Sequence, residues 1–353
     1  MKKLVLLVML LCTPAAYAAD YGADKIPIPS AARDVLEGQS PANADWNGGL
    51  KNVLNKAAAL IKSQTGGALK TLVMLLAAAV LMGIAGGVWE AGGGNNSAAL
   101  RVAGVLAAAA VTFGGTRALI ELTRDTVTQI GTFSKALLPV MAAATAATGA
   151  PAGAAVRSAA TLLFSDILIT AIDRFLLPAA YLYAAAVTAD AALGGSALSG
   201  IIRFIKWGTS GLLKLFMMVY VGYLTISSAV AGAADVMLQK SAKFAISGMV
   251  PVVGGILSDA AETVVAGAGV LKSSVGVFGL LAVLGVTLAP IINLGINYLM
   301  YKLAAAIASP AAPQALTDYL EKLSDVFALM LGMTASCALL LLMAVVACMT
   351  VGG

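Results

Sequence analysis

Two pairs of carboxylates stand at helical spacing inside otherwise apolar sequence. Asp166 and Asp173 are seven residues apart, and Asp259 and Glu262 are three apart. Both spacings place the two acids on one face of a helix. Two carboxylates can share a proton, as in aspartic proteases. Asp166 and Asp173 are poorly placed for that, because two helical turns separate them by about 10 Å. Arg174, next to Asp173, points instead to charge pairing inside a bundle. The chain has no histidine, which removes Ser-His-Asp and Cys-His catalysis and the common metal sites. Gly267-Ala-Gly-Val-Leu-Lys-Ser273 lacks the glycine that a phosphate loop needs before its lysine. No enzyme chemistry, cofactor or metal is expected.

The second acid pair lies in MVPVVGGILSDAAETVVAGAGVLKSSVG, residues 249–276. Pro251 and the Gly254-Gly255 pair interrupt any helix there, and Lys272 is a nearby base. Backbone at such a break cannot face lipid; it is buried in protein or lines a water-filled cavity. Intramembrane acids follow the same rule. Two readings stay open. Either the pair sits inside the bundle, lining a polar pathway or buried against a base such as Lys272, or the hairpin lies at the membrane surface and its acids are hydrated.

The elements that position these groups are membrane helices. Of 353 residues, 60% are hydrophobic and 11% charged, with mean hydropathy +0.94. A soluble domain carries roughly 25% charged residues. Residues 1–18 read as a secretory leader, with Lys2 and Lys3, an apolar run, and Ala16-Tyr17-Ala18 for cleavage. Removing it lowers the formal charge of +5 by two, which is no nucleic-acid signature. Residues 19–67 form an extracytoplasmic segment. Trp46, Leu50, Val53, Ala57, Leu60 and Ile61 recur there at helical spacing. They predict an amphipathic helix that lies on the membrane surface or docks on a partner.

Residues 68–353 form a transmembrane helical domain. Spans are expected over 69–89, 98–120, 156–187, 208–234, 275–307 and 326–351. The third is too long for a bilayer and must tilt, break near Pro178 or project. Stretches 137–151 and 244–271 read as two broken, Pro/Gly-interrupted hairpins. Pro139 and Pro178 are separated by the same interval as Pro251 and Pro290. That spacing, with the tyrosines and alanines after each second proline, predicts an internal duplication of about 98–188 and 210–307. The fold class is an all-α polytopic membrane protein of about six transmembrane helices. Paired interrupted segments are a sequence pointer to a transporter's pathway.

Residues 243–279 carry a resemblance. Pro251-Val-Val-Gly-Gly-Ile-Leu-Ser-Asp-Ala-Ala-Glu-Thr263, followed by Leu271-Lys272 and Gly276, resembles the most recognisable stretch of the stage III sporulation protein AE family of endospore-forming bacteria. The leader, the polar outer segment and the succession of spans extend the resemblance over the chain. It implies a permease-like membrane subunit of a multi-protein, secretion-type channel between mother cell and forespore. Its expected partners are other membrane proteins of that complex and the bilayer, with no nucleic acid. The family offers no catalytic residue to carry over. A self-sufficient secondary transporter is the alternative. Leader cleavage and six spans would leave both termini outside.

Overall fold

The computed structural model describes residues 26–41, 43–91, 97–148, 151–194, 197–249 and 254–350; within the helices, side chains are not described at 89–90, 97, 100, 151–154, 157, 228–249, 254–272 and 350. After a short 3-10 turn at Ser30–Ala32, seven α-helices follow: α1 Trp46–Ala91, α2 Ser97–Ala147, α3 Pro151–Ala171, α4 Leu177–Leu193, α5 Ser199–Met249, α6 Gly254–Ala308 and α7 Gln314–Thr350. The protein is an all-α polytopic membrane protein. Among the described residues, five helices contain segments long and apolar enough to cross a membrane: Trp46–Val88, Arg101–Ala147, Ser199–Ser227, Ser273–Ala308 and Gln314–Met349.

The expected third span, 156–187, is divided and is not among the five. A π turn at Ile172–Leu176 joins α3 to α4. Pro178 sits at the start of α4, directly after it. Proline has no N–H and its ring collides with the carbonyl four residues back, here that of Arg174. Widening the turn at that carbonyl relieves the collision without ending the helix.

The interruptions are narrower than the sequence suggests. Pro139 lies inside α2, which runs on to Ala147, and Pro290 lies inside α6. Pro251 falls in 250–253, outside the described residues. Gly254, Gly255, Asp259, Glu262 and Lys272 fall within α6, but their side chains lie outside the described residues. The amphipathic stretch from Trp46 is also not a separate surface helix. It continues into the first span as the 46-residue α1. Its small face packs on the bundle: Gly49 meets Leu281, Val53 is buried, and Gly83 meets the Ala311 carbonyl.

The antiparallel pair α6–α7 forms the centre. The Tyr301 and Phe327 rings cross it at 4.9 Å, and Gly276 gives room to Met349. Leu281, Val345, Phe278 and Met330 are fully buried or nearly so. α1 runs parallel to α6 on one side, while α2 runs antiparallel to it, with Leu137 against Gly279. α3 returns beside α2, and α4 and α5 cover α7. At 1.5 Å per residue the 55 residues of α6 extend about 80 Å, well beyond a ~30 Å hydrocarbon core.

Candidate functional site

Among the described residues, Lys56 of α1 pairs with Asp34 at 2.7 Å, and two larger sets of ion pairs lie on the surface of the α2–α3 hairpin and where α4, α5, α6 and α7 meet. The first forms a ladder. Lys135 Nζ donates to Asp166 Oδ1 at 2.8 Å, and Arg124 Nε reaches Asp173 Oδ1 at 2.8 Å. Antiparallel packing makes this register: as α2 runs down from Arg124 to Lys135, α3 runs up from Asp166 toward Asp173. Arg117 and Glu121 add an i,i+4 pair at 3.0 Å along the same helix. The exposed Thr128 and Thr132 lie between the rungs and bond back to the carbonyls of Arg124 and Thr128. Each rung is about half exposed or more, so each contributes only ~0–1 kcal/mol. The ladder matters less for stability than for environment. It lies on a 51-residue helix, about 75 Å long against a ~30 Å hydrocarbon core, so its charges stand where the helix projects from the membrane or on a side turned away from lipid.

The second set is deeper. Asp190 has no solvent exposure. Its Oδ2 accepts from Lys322 Nζ at 2.9 Å and its Oδ1 accepts from the Leu198 N–H at 2.9 Å. Its backbone carbonyl accepts from the N–H of Gly194 at 3.1 Å, where φ is +114°, so glycine fits the left-handed end of α4. One residue thus closes α4, holds the first turn of α5 and binds α7. Burial pushes the Asp190 carboxyl up. The hydrogen bonds from Lys322 and Leu198 and the lysine charge outweigh that, and it titrates below its ordinary 3.8. Nearby, Lys206 of α5 pairs with Asp325 at 2.7 Å, and Tyr183 OH donates to the same carboxylate oxygen at 3.3 Å. Lys302 pairs with Glu321 at 3.1 Å beside a cavity of about 540 Å³ that Ser309, Gln314, Thr317 and Asp318 also line.

These groups can hold helices together and carry charge through an apolar bundle. Among the described residues no group of three or more His, Cys, Asp and Glu is placed to bind a metal. Cys337 and Cys348 are buried thiols.

Of the residues singled out from sequence, Asp166 and Asp173 do share a face, and it is the face toward α2. Asp173 pairs with Arg124 across the hairpin rather than with its neighbour Arg174, which is exposed within the π turn. Pro251 and the side-chain environment of Gly254, Gly255, Asp259, Glu262 and Lys272 lie outside the described residues. Sequence reasoning missed Asp190, Lys322, Asp325 and Lys206. The available signal was a lone acid in Ala-rich sequence, Thr188-Ala-Asp-Ala-Ala-Leu193, which in a membrane protein calls for a partner.

The profile of the stage III sporulation protein AE family matches residues 32–352. A curated relative, "Stage III sporulation protein AE" of Bacillus subtilis (strain 168), is 25% identical over 191 residues, which are 54% of this chain and 48% of that protein. The alignment thus spans about half of the relative's length. No solved structure matches. The family match runs through every described helix, from the 3-10 turn to the end of α7, and the chain belongs to the stage III sporulation protein AE family.

Proposed function

We propose that this chain is the permease-like membrane subunit of a multi-protein, secretion-type channel complex between mother cell and forespore. Its place is the mother-cell membrane facing the forespore, and its role is structural and pore-forming rather than enzymatic. Membership of a sporulation family supports the setting. The observation that carries the subunit reading is the α2–α3 ladder. Lys135–Asp166 and Arg124–Asp173 present charge on the outside of the α2–α3 hairpin, beside the exposed Leu163, Ile167 and Phe175, whereas the exposed side of α5 offers Leu215, Met218, Val219 and Ile226. A protein with one lipid-compatible side and one charged side is suited to stand in an assembly, with its polar side toward partners or water.

The test is affinity purification of the full chain from sporulating cells in mild detergent. Other membrane proteins of the complex co-purify if the reading holds. A monodisperse protein that never brings partners, yet binds a small solute, favours a self-sufficient transporter.

A further inference from the structure

We propose that the groove between α2 and α4 is a binding site for one acyl chain of an anionic membrane phospholipid, whose phosphate is held by Arg117. The groove encloses a cavity of about 390 Å³. Its walls are Leu106, Phe113, Ala185 and Ala189, and its floor is Tyr319 with Leu323. Four of its five hydroxyls are already committed to protein: Thr112 and Tyr319 bond each other at 2.9 Å, Thr116 bonds the Thr112 carbonyl, and Thr188 bonds the Ala184 carbonyl; the fifth, on the exposed Tyr181, lies at the mouth near Arg117. A polar solute therefore finds little to bind, while an alkyl chain loses nothing by entering.

Length and charge choose the occupant. Leu106 and Arg117 mark the ends of the groove on α2, and eleven residues of helix rise about 16 Å. That is half of a ~30 Å hydrocarbon core, the depth of one leaflet. The flanks are ready for lipid: Phe113 is 69% exposed and Leu182 58%. At the mouth, the Arg117 side chain is 65% exposed and meets Glu121 Oε1 through its Nε at 3.0 Å. The outer edge of its guanidinium is free to take a phosphate oxygen in a charge-assisted pair. At the far end Arg101 is engaged with the Ala192 carbonyl at 3.4 Å. The head group is thereby oriented toward Arg117.

The experiment uses the full chain in nanodiscs that contain phosphatidylglycerol with a photoreactive group on one acyl chain. Peptides covering 106–117 and 181–192 are expected to take up label in excess of the exposed α5 surface around Met218. Arg117→Gln, a surface change that leaves the fold alone, should lower that labelling about fivefold for phosphatidylglycerol and far less for phosphatidylcholine. Ala185→Trp should abolish it by filling the groove, with circular dichroism and gel filtration confirming an intact protein. Labelling spread evenly over all exposed apolar faces would overturn the proposal. So would groove labelling that Arg117→Gln leaves unchanged.

Discussion

Asp190 of α4 and Lys322 of α7 form an ion pair of 2.9 Å in which the carboxylate is wholly buried and the lysine side chain is 28% exposed. The pair lies outside the five apolar segments on its acidic side and just inside the last of them on its basic side. It joins the only described positive-φ turn between two helices, at Gly194, to the central hairpin. Its energetic character differs from that of the exposed ladder. Removing Lys322 leaves the buried Asp190 carboxylate without its cation, and removing Asp190 leaves both the largely buried lysine and the Leu198 N–H without theirs.

Asp190→Ala should therefore destabilise the protein by about 3–5 kcal/mol, and its membrane abundance should fall. Asp190→Asn should cost less, because its side-chain oxygen still accepts from the Leu198 N–H. Lys135→Ala, which breaks an exposed rung, should cost no more than ~1 kcal/mol. Thermal unfolding in detergent measures all three. Equal losses for positions 190 and 135 would remove the distinction.

The same pair sets a pH dependence. The Asp190 carboxyl titrates below 3.8 when folded, so its stabilising contribution is full above that value. It is lost as pH falls through the still lower folded value. In Lys322→Met the cation is gone and burial pushes the carboxyl up, so the variant recovers stability as pH falls. The gap in unfolding temperature between wild type and Lys322→Met should stay constant from about pH 8 to 6 and shrink toward pH 4 and below. A gap that widens on acidification contradicts this assignment.

Gly83 and Gly87 belong to one small-xxx-small pair in sequence but have different surroundings. A Cβ at Gly83 would collide with the Ala311 carbonyl at the α6–α7 turn, while at Gly87 it would meet nothing within 4 Å. Gly83→Ala should destabilise by about 1–3 kcal/mol, since backbone yields poorly. Gly87→Ala should stabilise by about 0.5–1 kcal/mol through helix propensity. Unfolding temperatures of the two single variants check the sign of each.

Much of the fold was legible because apolar runs longer than a bilayer leave no alternative to helices. The length of those helices was not. Pro139 looked like an interruption, yet α2 continues through it, since a membrane bundle can satisfy the carbonyl that proline frees. Pro178 was read as a breaking point, and a π turn stands directly before it. The spacing of Asp166 and Asp173 gave their common face but not their partners. Choosing Arg124 over Arg174 requires the register of the α2–α3 hairpin, and no local pattern encodes that. Asp190 escaped notice because its partner lies on α7, far away in sequence. Asp259 and Glu262 remain paired only by their spacing, and the role of that segment as a polar pathway is a proposal on which the ladder is independent.

The charged side of the α2–α3 hairpin is the centre of this account, and lipid contact tests it directly. A nitroxide label at Thr132→Cys, between the rungs of the ladder, is compared with one at Met218→Cys on the apolar face of α5, which is 75% exposed. Both proteins are measured in membranes from sporulating cells by collision with oxygen, which concentrates in lipid, and with a water-soluble nickel chelate. The account predicts that the label at 218 collides with oxygen, while the label at 132 is shielded from it and meets the chelate or neither reagent. Equal, strong oxygen collision at both positions would contradict it, because the ladder would then stand in lipid.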